Sequence, residues 1–443
     1  MSPRETPVRP PEEPDVLIVG GGPAGASAAC VLAEAGHRVV VLEKSHHPRF
    51  HIGESLLPAN LPLLKRLGVA EAVRAIGLPK HGAEFYSPAH GRTQRFAFAN
   101  SWNRALPSAY EVRRSSFDEI LIRRAAHLGA EVIEGCRARR IEFPSPDRVL
   151  VHAEHEDGAQ SAWRPRYLID ASGRDTFLGG RLELKQRNTR HASCAMFAHF
   201  RGAWRHEDGA RAGDITVFWF EHGWFWFIPL ADGVTSVGAV VWPYYMKRRS
   251  SSLEEFFLET IALSPALAAR LSGAERVTEV EATGSYTYSC ARTHGERFLL
   301  IGDAYSFIDP VFSSGVLFAM VGGIAAAEAI GTCLASPGRR RRALRRFERQ
   351  VRRGPECFAW FVYRMTRPAM QALFMDPHNP LRMREALLSF LSGDIFGDTP
   401  LWRSLRAFQA LYYVTSLAMP RRSFAALRRR AGDIRCEPAS GAL

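Results

Sequence analysis

The sequence predicts an α/β protein that combines a buried parallel sheet, a second sheet of antiparallel strands and a helical C-terminal region. Three observations predict this class. Residues 15–20 form an apolar run of the kind that fills a parallel strand buried on both faces. Alternating strand-like segments crowd into residues 194–241. After Pro337 the strand signals end, and an arginine-rich helical pattern begins.

Length and composition fit a folded protein of more than one domain. The chain has 443 residues, a length typical of roughly two to three domains. Hydrophobic residues make up 46% and charged residues 23%, which excludes a disordered, collagen-like or coiled-coil chain. The net charge of +13 predicts a surface that attracts anions, and it leaves acidic proteins, phosphates and nucleic acid open as partners.

The cysteines and the apolar segments indicate the cellular compartment of the protein. The seven cysteines form no Cys-x-x-Cys pair, and their odd number argues against a disulfide framework. Residues 1–14 have no apolar segment of the signal-peptide kind, so we expect a short disordered leader. The apolar stretch 316–335 contains Gly322, Gly323 and Glu328, which predicts a buried helix rather than a membrane span. We therefore expect a cytoplasmic protein that does not bind a membrane.

The first strand leads into a turn with the spacing Gly-x-Gly-x-x-Gly, then a helix and a second strand that ends at Glu43. Gly20 permits the tight turn, Gly22 lets the backbone approach a pyrophosphate, and Gly25 permits close packing of helix and strand. The helix N-terminus supplies partial positive charge. Glu43 is placed to accept hydrogen bonds from a ribose. A glycine-rich turn without a ligand is the alternative, but the flanking elements favour a Rossmann-like nucleotide-binding domain.

Two later strands indicate which nucleotide is bound. Residues 167–174 read Tyr-Leu-Ile-Asp-Ala-Ser-Gly-Arg, and residues 298–304 read Phe-Leu-Leu-Ile-Gly-Asp-Ala. The second segment resembles flavoproteins of the para-hydroxybenzoate hydroxylase type. This resemblance implies that Asp303 contacts the ribityl chain of FAD and that the next helix points its N-terminus at the flavin. A surface turn after a strand is the alternative.

The order of the segments predicts how the chain is divided. Residues 15–185 and 283–335 are expected to form a discontinuous FAD-binding domain, and residues 186–282 an antiparallel-sheet substrate domain. Residues 336–443 are expected to form the helical C-terminal region. Within it, Leu344, Phe347 and Val351 form an apolar stripe. The intervening arginines face either water or an anionic partner.

Four further segments resemble the flavin-dependent halogenases, in particular the branch acting on phenols and carrier-bound pyrroles. They are residues 50–58, Phe-His-Ile-Gly-Glu-Ser-Leu-Leu-Pro; 110–118, Tyr-Glu-Val-Arg-Arg-Ser-Ser-Phe-Asp; 223–229, Gly-Trp-Phe-Trp-Phe-Ile-Pro; and 307–315, Phe-Ile-Asp-Pro-Val-Phe-Ser-Ser-Gly. The resemblance covers roughly residues 15–400. Trp224, Trp226 and Pro229 match the flavin-side motif of the family, and the two-residue period places both tryptophans on one side of a strand. Core packing of the two tryptophans is the alternative.

The resemblance implies a reaction and its cofactors. In this family a separate flavin reductase delivers reduced FAD (FADH2), which reacts with O2 to give a flavin hydroperoxide. Chloride or bromide attacks this species and yields hypohalous acid, which a lysine directs to an electron-rich aromatic ring. Binding of FAD is implied for Gly20, Gly22, Pro23, Ala24, Gly25, Glu43, Lys44, Arg114, Asp303, Gly315 and Val316.

The resemblance also implies a halide-binding site and a catalytic lysine. The resemblance implies halide binding by Ser313, Ser314 and Gly315, and Ser314 is a candidate N-cap for the helix beginning near Gly315. Lys80 stands where the family carries its catalytic lysine. It acts either as an ammonium that hydrogen-bonds hypohalous acid or, when burial lowers its pKa, as an amine that forms a haloamine. A solvated lysine without a role is the alternative.

Phe312 departs from the family pattern. The tryptophan-halogenating branch has a glutamate at this position, so its absence implies a phenol or pyrrole substrate rather than an indole. The base that deprotonates the ring is left open between His81 and Glu84. His46, His47 and His51 lack residues that would complete a metal-ligand set, so no metal is predicted.

The sequence leaves two forms of the substrate and two alternative functions open. The substrate is either a free aromatic compound or one carried by an acidic acyl or peptidyl carrier protein, which the basic surface would attract. An FAD-dependent monooxygenase or reductase of the same fold, acting without halide, is the alternative function. A nucleic-acid-binding protein is a further alternative, but no nucleic-acid-binding motif supports it.

Overall fold

The computed structural model describes residues 12–145, 148–189, 191–207, 209–284 and 287–435. Residues 1–11 of the predicted leader and residues 436–443 of the predicted C-terminal region lie outside the described residues. The last part of the leader is described, and the backbone N–H of Glu12 donates a hydrogen bond to the carbonyl of Ala162. Residues 12–14 thus adjoin the folded part of the chain.

Strands and helices are interspersed up to residue 307, and the elements after it in the described chain are helical. The strands are β1 (Val16–Val19), β2 (Val39–Leu42), β3 (Leu78–Lys80), β4 (Gly82–Ser87), β5 (Arg92–Ala97), β6 (Ala109–Glu111), β7 (Glu131–Ile133), β8 (Cys136–Ser145), β9 (Arg148–His155), β10 (Gln160–Trp163), β11 (Tyr167–Asp170), β12 (Lys185–Arg187), β13 (Cys194–Arg201), β14 (Ile215–Phe220), β15 (Gly223–Pro229), β16 (Val234–Val241), β17 (Glu275–Arg276), β18 (Glu281–Thr283), β19 (Tyr288–Cys290), β20 (Phe298–Leu300) and β21 (Ser306–Phe307). The helices are α1 (Pro23–Glu34), α2 (Asn60–Arg66), α3 (Ala70–Ile76), α4 (Arg114–His127), α5 (Phe177–Arg181), α6 (Pro243–Met246), α7 (Leu253–Ala262), α8 (Pro265–Arg270), α9 (Gly315–Ala335), α10 (Arg340–Val362), α11 (Pro368–Met375), α12 (Met383–Leu391), α13 (Trp402–Ala418) and α14 (Pro420–Arg435).

The predicted parallel sheet is confirmed. It has the strand order β20-β11-β1-β2-β7, and its neighbouring strands pair in parallel. Strands β1, β2 and β11 are buried along their whole length, as their continuous apolar sequences predict. The sheet is formed by segments far apart in the chain, and the loops after β1, β11 and β20 meet at its carboxyl edge. This edge is where open α/β sheets bind ligands.

Helix α9 is the buried helix that the apolar stretch predicts. It is long and apolar enough to cross a membrane, but most of its residues are buried inside the fold. Gly323 lies so close to α1 that a Cβ there would stand 2.3 Å from the carbonyl oxygen of Ala24. The absence of a side chain at Gly323 therefore lets the backbones of α1 and α9 come into contact.

The second sheet is larger than the sequence predicts. Its strands follow the order β17-β13-β16-β15-β14-β4-β5, with β18 paired to β13. The four strands predicted within residues 194–241 are confirmed. However, β4 and β5 come from the stretch that we assigned to the FAD-binding domain, and β4 pairs with β14 in parallel. The chain thus enters this sheet twice, which a local pattern cannot indicate.

The helices after residue 336 cover one face of the second sheet. Phe358 and Phe361 of α10 and Phe390 of α12 pack together and join the core that contains Trp224 and Trp226. Earlier in α10, the predicted stripe of Leu344, Phe347 and Val351 is buried against the FAD-binding part, while most of the arginines between them are exposed. The amphipathic pattern of this helix is therefore confirmed.

We predict that Gly323→Ala lowers the free energy of unfolding by about 1–3 kcal/mol, because the added methyl group collides with the α1 backbone. The matched control is Gly331→Ala in the same helix, where a Cβ would lie 3.5 Å from His37 Nε2. We expect this control to raise stability by up to about 1 kcal/mol through helix propensity. Urea denaturation followed by circular dichroism measures both effects. Equal stabilities of the two variants would contradict the close crossing.

Candidate functional site

A cavity of about 1100 Å³ lies between the carboxyl edge of the parallel sheet and the tryptophan-bearing face of the second sheet. Most of the residues that the sequence singled out line it: Gly20, Gly22, Pro23, Ala24, Glu43, Lys44, Arg114, Trp224, Trp226, Asp303, Ser313, Ser314, Gly315 and Val316. Gly25, Pro229 and Lys80 lie outside the lining that the described residues form. One space therefore joins the predicted nucleotide, halide and flavin-side segments.

The three glycines of the nucleotide turn play different structural roles. Gly20 has φ of 106°, and a Cβ there would lie 2.3 Å from the carbonyl oxygen of Ala171. A Cβ on Gly25 would lie 1.9 Å from the carbonyl oxygen of Gly20. Around Gly22, in contrast, the nearest described atom is Arg49 Nη2 at 3.5 Å from the Cβ position. Gly20 and Gly25 are required by the fold, whereas Gly22 leaves room for a ligand.

Glu43 is fixed beside this turn. Its Oε2 accepts a hydrogen bond of 2.8 Å from the backbone N–H of Gly21, and its Oε1 accepts one of 3.0 Å from the N–H of Ser45. Lys44, next in the chain, pairs with Asp175 across the cavity rim at 2.5 Å. Oε2 also accepts a longer hydrogen bond of 3.5 Å from Arg49, whereas Oε1 keeps a lone pair that is able to accept a further hydrogen bond from a ribose hydroxyl.

Arg114 and Asp303 face the middle of the cavity. Arg114 forms two hydrogen bonds with Asp118, of 2.8 and 3.0 Å, and a third of 2.9 Å with the carbonyl of Ile52. These bonds hold the guanidinium still. Burial raises the pKa of Asp303 to about 6, although Arg114 and Arg174 favour its ionised form. A carboxyl group close to its ionisation point is suited to hydrogen bonding with ligand hydroxyls.

These features fit FAD. Gly22 provides the open approach, the N-terminus of α1 provides partial positive charge for a diphosphate, and Glu43 and Asp303 provide acceptors for hydroxyls. Sequence reasoning missed Arg49, which contacts both Glu43 and Asp118 at 3.5 and 3.4 Å. Its position between the nucleotide unit and the segment 50–58 is the signal that was available.

The loop before α9 is held in an unusual conformation. Ser313 has φ of 55°, and Asp309 accepts hydrogen bonds from His191 at 3.1 Å and from Ser193 at 2.9 Å, which brace the loop against the start of β13. The first intrahelical hydrogen bond runs from Phe318 N to Ser314 O. The N–H groups of Gly315 and Val316 therefore precede the helical ladder and are available for an anion.

The predicted capping by Ser314 is wrong in one respect. Ser314 is the N-cap residue of α9, but its side chain forms no capping hydrogen bond within the described part of the chain. Its φ and ψ of −86° and −10° are already helical, whereas a capping serine has an extended backbone that turns the hydroxyl toward the free N–H groups. The Ser314 hydroxyl thus leaves those groups to a ligand.

The tryptophans of β15 form one wall of the cavity together with Phe50 and Phe197. The ring centroids of Trp224 and Trp226 are 6.2 Å apart, those of Trp226 and Phe197 6.0 Å, and those of Phe197 and Phe50 6.3 Å. The predicted placement of both tryptophans on one side of the strand is confirmed. Both rings line the cavity, and both also belong to the core on this side of the sheet. We refer to these four residues as the aromatic wall.

Lys80 is buried next to the cavity, with 1% of its surface exposed. Its Nζ donates hydrogen bonds to Ser55 Oγ at 2.6 Å and to the carbonyl of Leu56 at 3.1 Å, and it lies 3.6 Å from Glu111 Oε1. Burial lowers the pKa of Lys80. Ser55 lines the cavity and stands between it and Lys80. Ser55 and Glu111 lie inside motifs that the sequence analysis quoted, but nothing in the sequence indicated that they contact Lys80.

The two bases proposed from the sequence do not face the cavity. Glu84 lies on the opposite face of the second sheet, where it binds Arg211 at 2.5 Å and His206 at 3.2 Å. Burial opposes ionisation of Glu84, but Arg211 and His206 outweigh it and keep its pKa below the usual value. Glu84, one of the two candidate bases that the sequence left open, therefore lies away from the cavity. His81 follows Lys80 in the chain, but it is not among the residues that line the cavity.

Phe312 lies in an apolar environment. It is 4% exposed, and its ring centroid is 6.0 Å from those of Phe358 and Phe390. A carboxylate at this position would be surrounded by aromatic rings.

The histidines near residue 50 have ordinary partners. His46 contacts Glu156 at 2.8 Å, and His47 contacts Glu134 at 2.7 Å. Across the described ranges, no group of three or more His, Cys, Asp or Glu residues is arranged to hold a metal ion.

Comparisons of sequence agree on one family. A model of the FAD binding domain matches residues 13–345. The chain is 37% identical over 352 residues to the flavin-dependent halogenase armH3 of Armillaria mellea, which covers 73% of this chain and 68% of the relative. It is 31% identical over 414 residues to a 1H-pyrrole-2-carbonyl-(peptidyl-carrier protein) chlorinase of Pseudomonas fluorescens, which covers 87% of this chain and 90% of the relative.

Solved structures give the same fold. The myxobacterial chondrochloren halogenase CndH, described as an FAD-dependent halogenase, superposes with a TM-score of 0.76 at 31% identity and covers 92% of this chain and 97% of its own. A flavoprotein/dehydrogenase from Cytophaga hutchinsonii superposes with a TM-score of 0.84 at 27% identity and covers 92% of this chain and 100% of its own. Both similarities extend over nearly the whole chain.

We predict that Gly22→Val weakens FAD binding at least about tenfold, or 1.4 kcal/mol, while leaving the stability of the protein nearly unchanged. The valine side chain enters the space where the backbone approaches the pyrophosphate, and its Cβ has no described backbone atom within 4 Å. Gly25→Ala is the contrasting variant, because its methyl group collides with the carbonyl of Gly20 and lowers stability by about 1–3 kcal/mol. Fluorescence titration with FAD and thermal denaturation separate the two effects. Unchanged FAD affinity in Gly22→Val would contradict this placement of the nucleotide.

Proposed function

Because the chain belongs to the flavin-dependent halogenases, we propose that it uses reduced FAD, O2 and chloride or bromide to halogenate a phenol or a pyrrole. The single observation that carries this proposal is the composition of the cavity. The nucleotide turn, the loop 313–315 and the aromatic wall all line one space.

Reduced FAD, when bound, supplies the two electrons that reduce O2 and so provides the oxidant that converts halide to hypohalous acid. The chain's part is to hold the dinucleotide with Gly20, Gly22, Pro23 and Ala24 and to orient it with Glu43, Lys44, Arg114 and Asp303. The half-buried cavity restricts water around the reacting groups.

The halide is held at the start of α9. Its partners are the hydroxyls of Ser313 and Ser314 and the N–H groups of Gly315 and Val316, which the loop geometry leaves free of helical hydrogen bonds. Partial positive charge at a helix N-terminus favours an anion of this size. The left-handed backbone of Ser313 keeps its side chain on the cavity side of the loop.

The aromatic wall holds the substrate ring. Flat aromatic side chains favour stacked or edge-on contacts with another ring. The apolar surroundings of Phe312 offer no carboxylate to activate a poor substrate, so the ring itself must be electron-rich. Phenols and pyrroles meet this requirement.

Lys80 activates the hypohalous acid. Its ammonium is buried among Ser55, Leu56 and Glu111, and Ser55 occupies the hydrogen-bond position nearest the cavity. Rotation of the Ser55 side chain to another rotamer frees this position for hypohalous acid. Lys80 thereby withdraws electrons from the oxygen and directs the halogen toward one carbon.

The substrate is either a free aromatic compound or one carried by an acidic carrier protein, and the reduced flavin comes from a separate reductase in the cytoplasm. Support for a carrier comes from charge: Arg341, Arg342, Arg345, Arg346 and Arg349 form an exposed cationic face on α10. Support also comes from the name of the pyrrole chlorinase relative, which acts on a carrier-bound substrate.

We expect an aerobic reaction with a flavin reductase, FAD, NADH and bromide to give monobrominated or polybrominated products from phenols or pyrroles, free or carrier-bound. Lys80→Met should reduce their yield at least about 100-fold, because the acid–base group is lost. Lys65→Met is the matched control, since Lys65 is exposed on α2. Mass spectrometry detects the paired bromine isotopes.

Products that gain oxygen alone, in equal amounts without bromide and in Lys80→Met, would assign the chain to monooxygenase chemistry. The same panel distinguishes a free from a carrier-bound substrate. Equal halogenation in Lys80→Met and wild type would remove Lys80 from the mechanism and leave the reaction class intact.

We further expect the double variant Arg345→Glu, Arg349→Glu to associate with an acidic holo-carrier protein about tenfold more slowly than wild type, because long-range attraction is lost. Stopped-flow fluorescence at increasing salt measures the rate. Wild-type association should slow with salt, because the screening length shortens. Association that is independent of both salt and these substitutions would exclude this face of α10 as the carrier surface.

A further inference from the structure

Glu111 is a buried carboxylate to which the proposed reaction assigns no chemical role. It ends strand β6, which pairs antiparallel with β3, and its partner in a further bridge is Ser55. Glu111 is fully buried, and its Oε1 accepts a hydrogen bond of 3.2 Å from Ser55 Oγ and lies 3.6 Å from Lys80 Nζ. Lys80, Ser55 and Glu111 therefore form a closed triangle behind the cavity wall.

Burial favours loss of the Lys80 proton. An ammonium removed from water loses its proton unless a negative group lies beside it. Here burial lowers the pKa of Lys80, and Glu111 opposes that effect more strongly than Asp214 does. Asp214 is already bound to Arg95 at 2.7 Å and to the backbone N–H of His81 at 3.0 Å. Glu111 is thus the main partner that keeps Lys80 charged.

Glu111 also loses hydration through burial. This loss raises the pKa of Glu111 above its usual value, while Lys80 and the Ser55 hydroxyl favour the ionised form and Asp214 opposes it. Among the described residues, none donates a hydrogen bond to its Oε2. The neighbouring carboxylate of Glu54 is bound to His199 at 2.8 Å, so it does not compete for Lys80. Lys80 therefore stabilises the ionised form of Glu111, and Glu111 stabilises the ionised form of Lys80.

We infer that Glu111 is the positioning residue that keeps Lys80 in its ammonium form, so that Lys80 acts as a proton donor to hypohalous acid; this inference rests on the proposed function. The halogen–oxygen bond breaks with its electron pair on oxygen, which takes a proton from Lys80 and leaves as water. The ring carbon forms the bond to halogen. The ring proton then passes to the neutral amine of Lys80, and the electrons of the C–H bond return to the ring.

This sequence balances without another base. Lys80 gives one proton and recovers one, and Glu111 remains a carboxylate that stabilises the ammonium at the start and the end. Neither Glu84 nor a carboxylate in place of Phe312 is required. The inference also decides between the two forms of Lys80 that the sequence left open, in favour of the ammonium.

The test uses the small number of lysines. The chain contains five, at positions 44, 65, 80, 185 and 247, so carbon-13 labelling of the lysine ε-carbons gives few NMR signals. The signal of Lys80 is assigned by its absence in Lys80→Met, and its titration is followed in the full-length protein without FAD. We expect Glu111→Gln to lower the pH at which Lys80 loses its proton by at least about one unit, because the opposite charge 3.6 Å from Lys80 Nζ is removed.

Two further variants control for structural damage. Glu84→Gln removes a buried carboxylate from the neighbouring strand but on the opposite face of the sheet, and it should leave the Lys80 titration unchanged. Glu111→Asp keeps the charge and should restore part of the shift. An unmoved Lys80 titration in both Glu111 variants, or an equal shift in Glu84→Gln, would overturn the inference.

Activity supplies the second readout. We expect Glu111→Gln to halogenate up to about tenfold more slowly than wild type at neutral pH and to recover as the pH falls, because acid restores the Lys80 proton. The upper pH limit of activity should move down with the NMR titration. A slower Glu111→Gln whose pH limit matches wild type would contradict a role through the charge of Lys80. Failure of the wild type to halogenate any substrate would refute the proposed function, and the NMR titration alone would then decide how Glu111 acts on Lys80.

Discussion

The crossing of α1 and α9 is the contact on which the arrangement of the site depends. Gly323 lets α9 rest on the backbone of α1 at Ala24, so both helices begin at the same cavity. One follows the nucleotide turn and the other follows Ser313 and Ser314. Two helix N-termini thus direct partial positive charge into a single space. The diphosphate and the halide of the proposed reaction are in this way favoured close to one another.

The second sheet separates the reacting face from the structural face by the two-residue period of its strands. In β15, Trp224 and Trp226 face the cavity, whereas Phe225 and Phe227 pack into the core on the other side. The same alternation in β4 turns Glu84 away from the cavity toward its arginine partners. A carboxylate can therefore be near in sequence to Lys80 and still lie outside the reacting space.

What the sequence could predict was local. The strands of the parallel sheet, the glycine turn and helix α9 follow from short-range patterns, and most of the predicted ligand residues line the cavity. The entry of β4 and β5 into the second sheet could not be predicted, because strand pairing depends on distant segments. The triangle of Ser55, Lys80 and Glu111 was hidden for the same reason: its members are 25, 31 and 56 positions apart in the three contacts that join them.

A carboxylate is stabilised in its ionised form at position 111 but would not be at position 312. A negative charge at Phe312 would lie against Phe358 and Phe390, and desolvation without a partner would oppose its ionisation. At Glu111 the same charge meets an ammonium and a hydroxyl, so it can be buried in the ionised state. The carboxylate then acts on the lysine rather than on the substrate. A substrate that receives no help from a carboxylate must supply its own electron density, which is the property that phenols and pyrroles share.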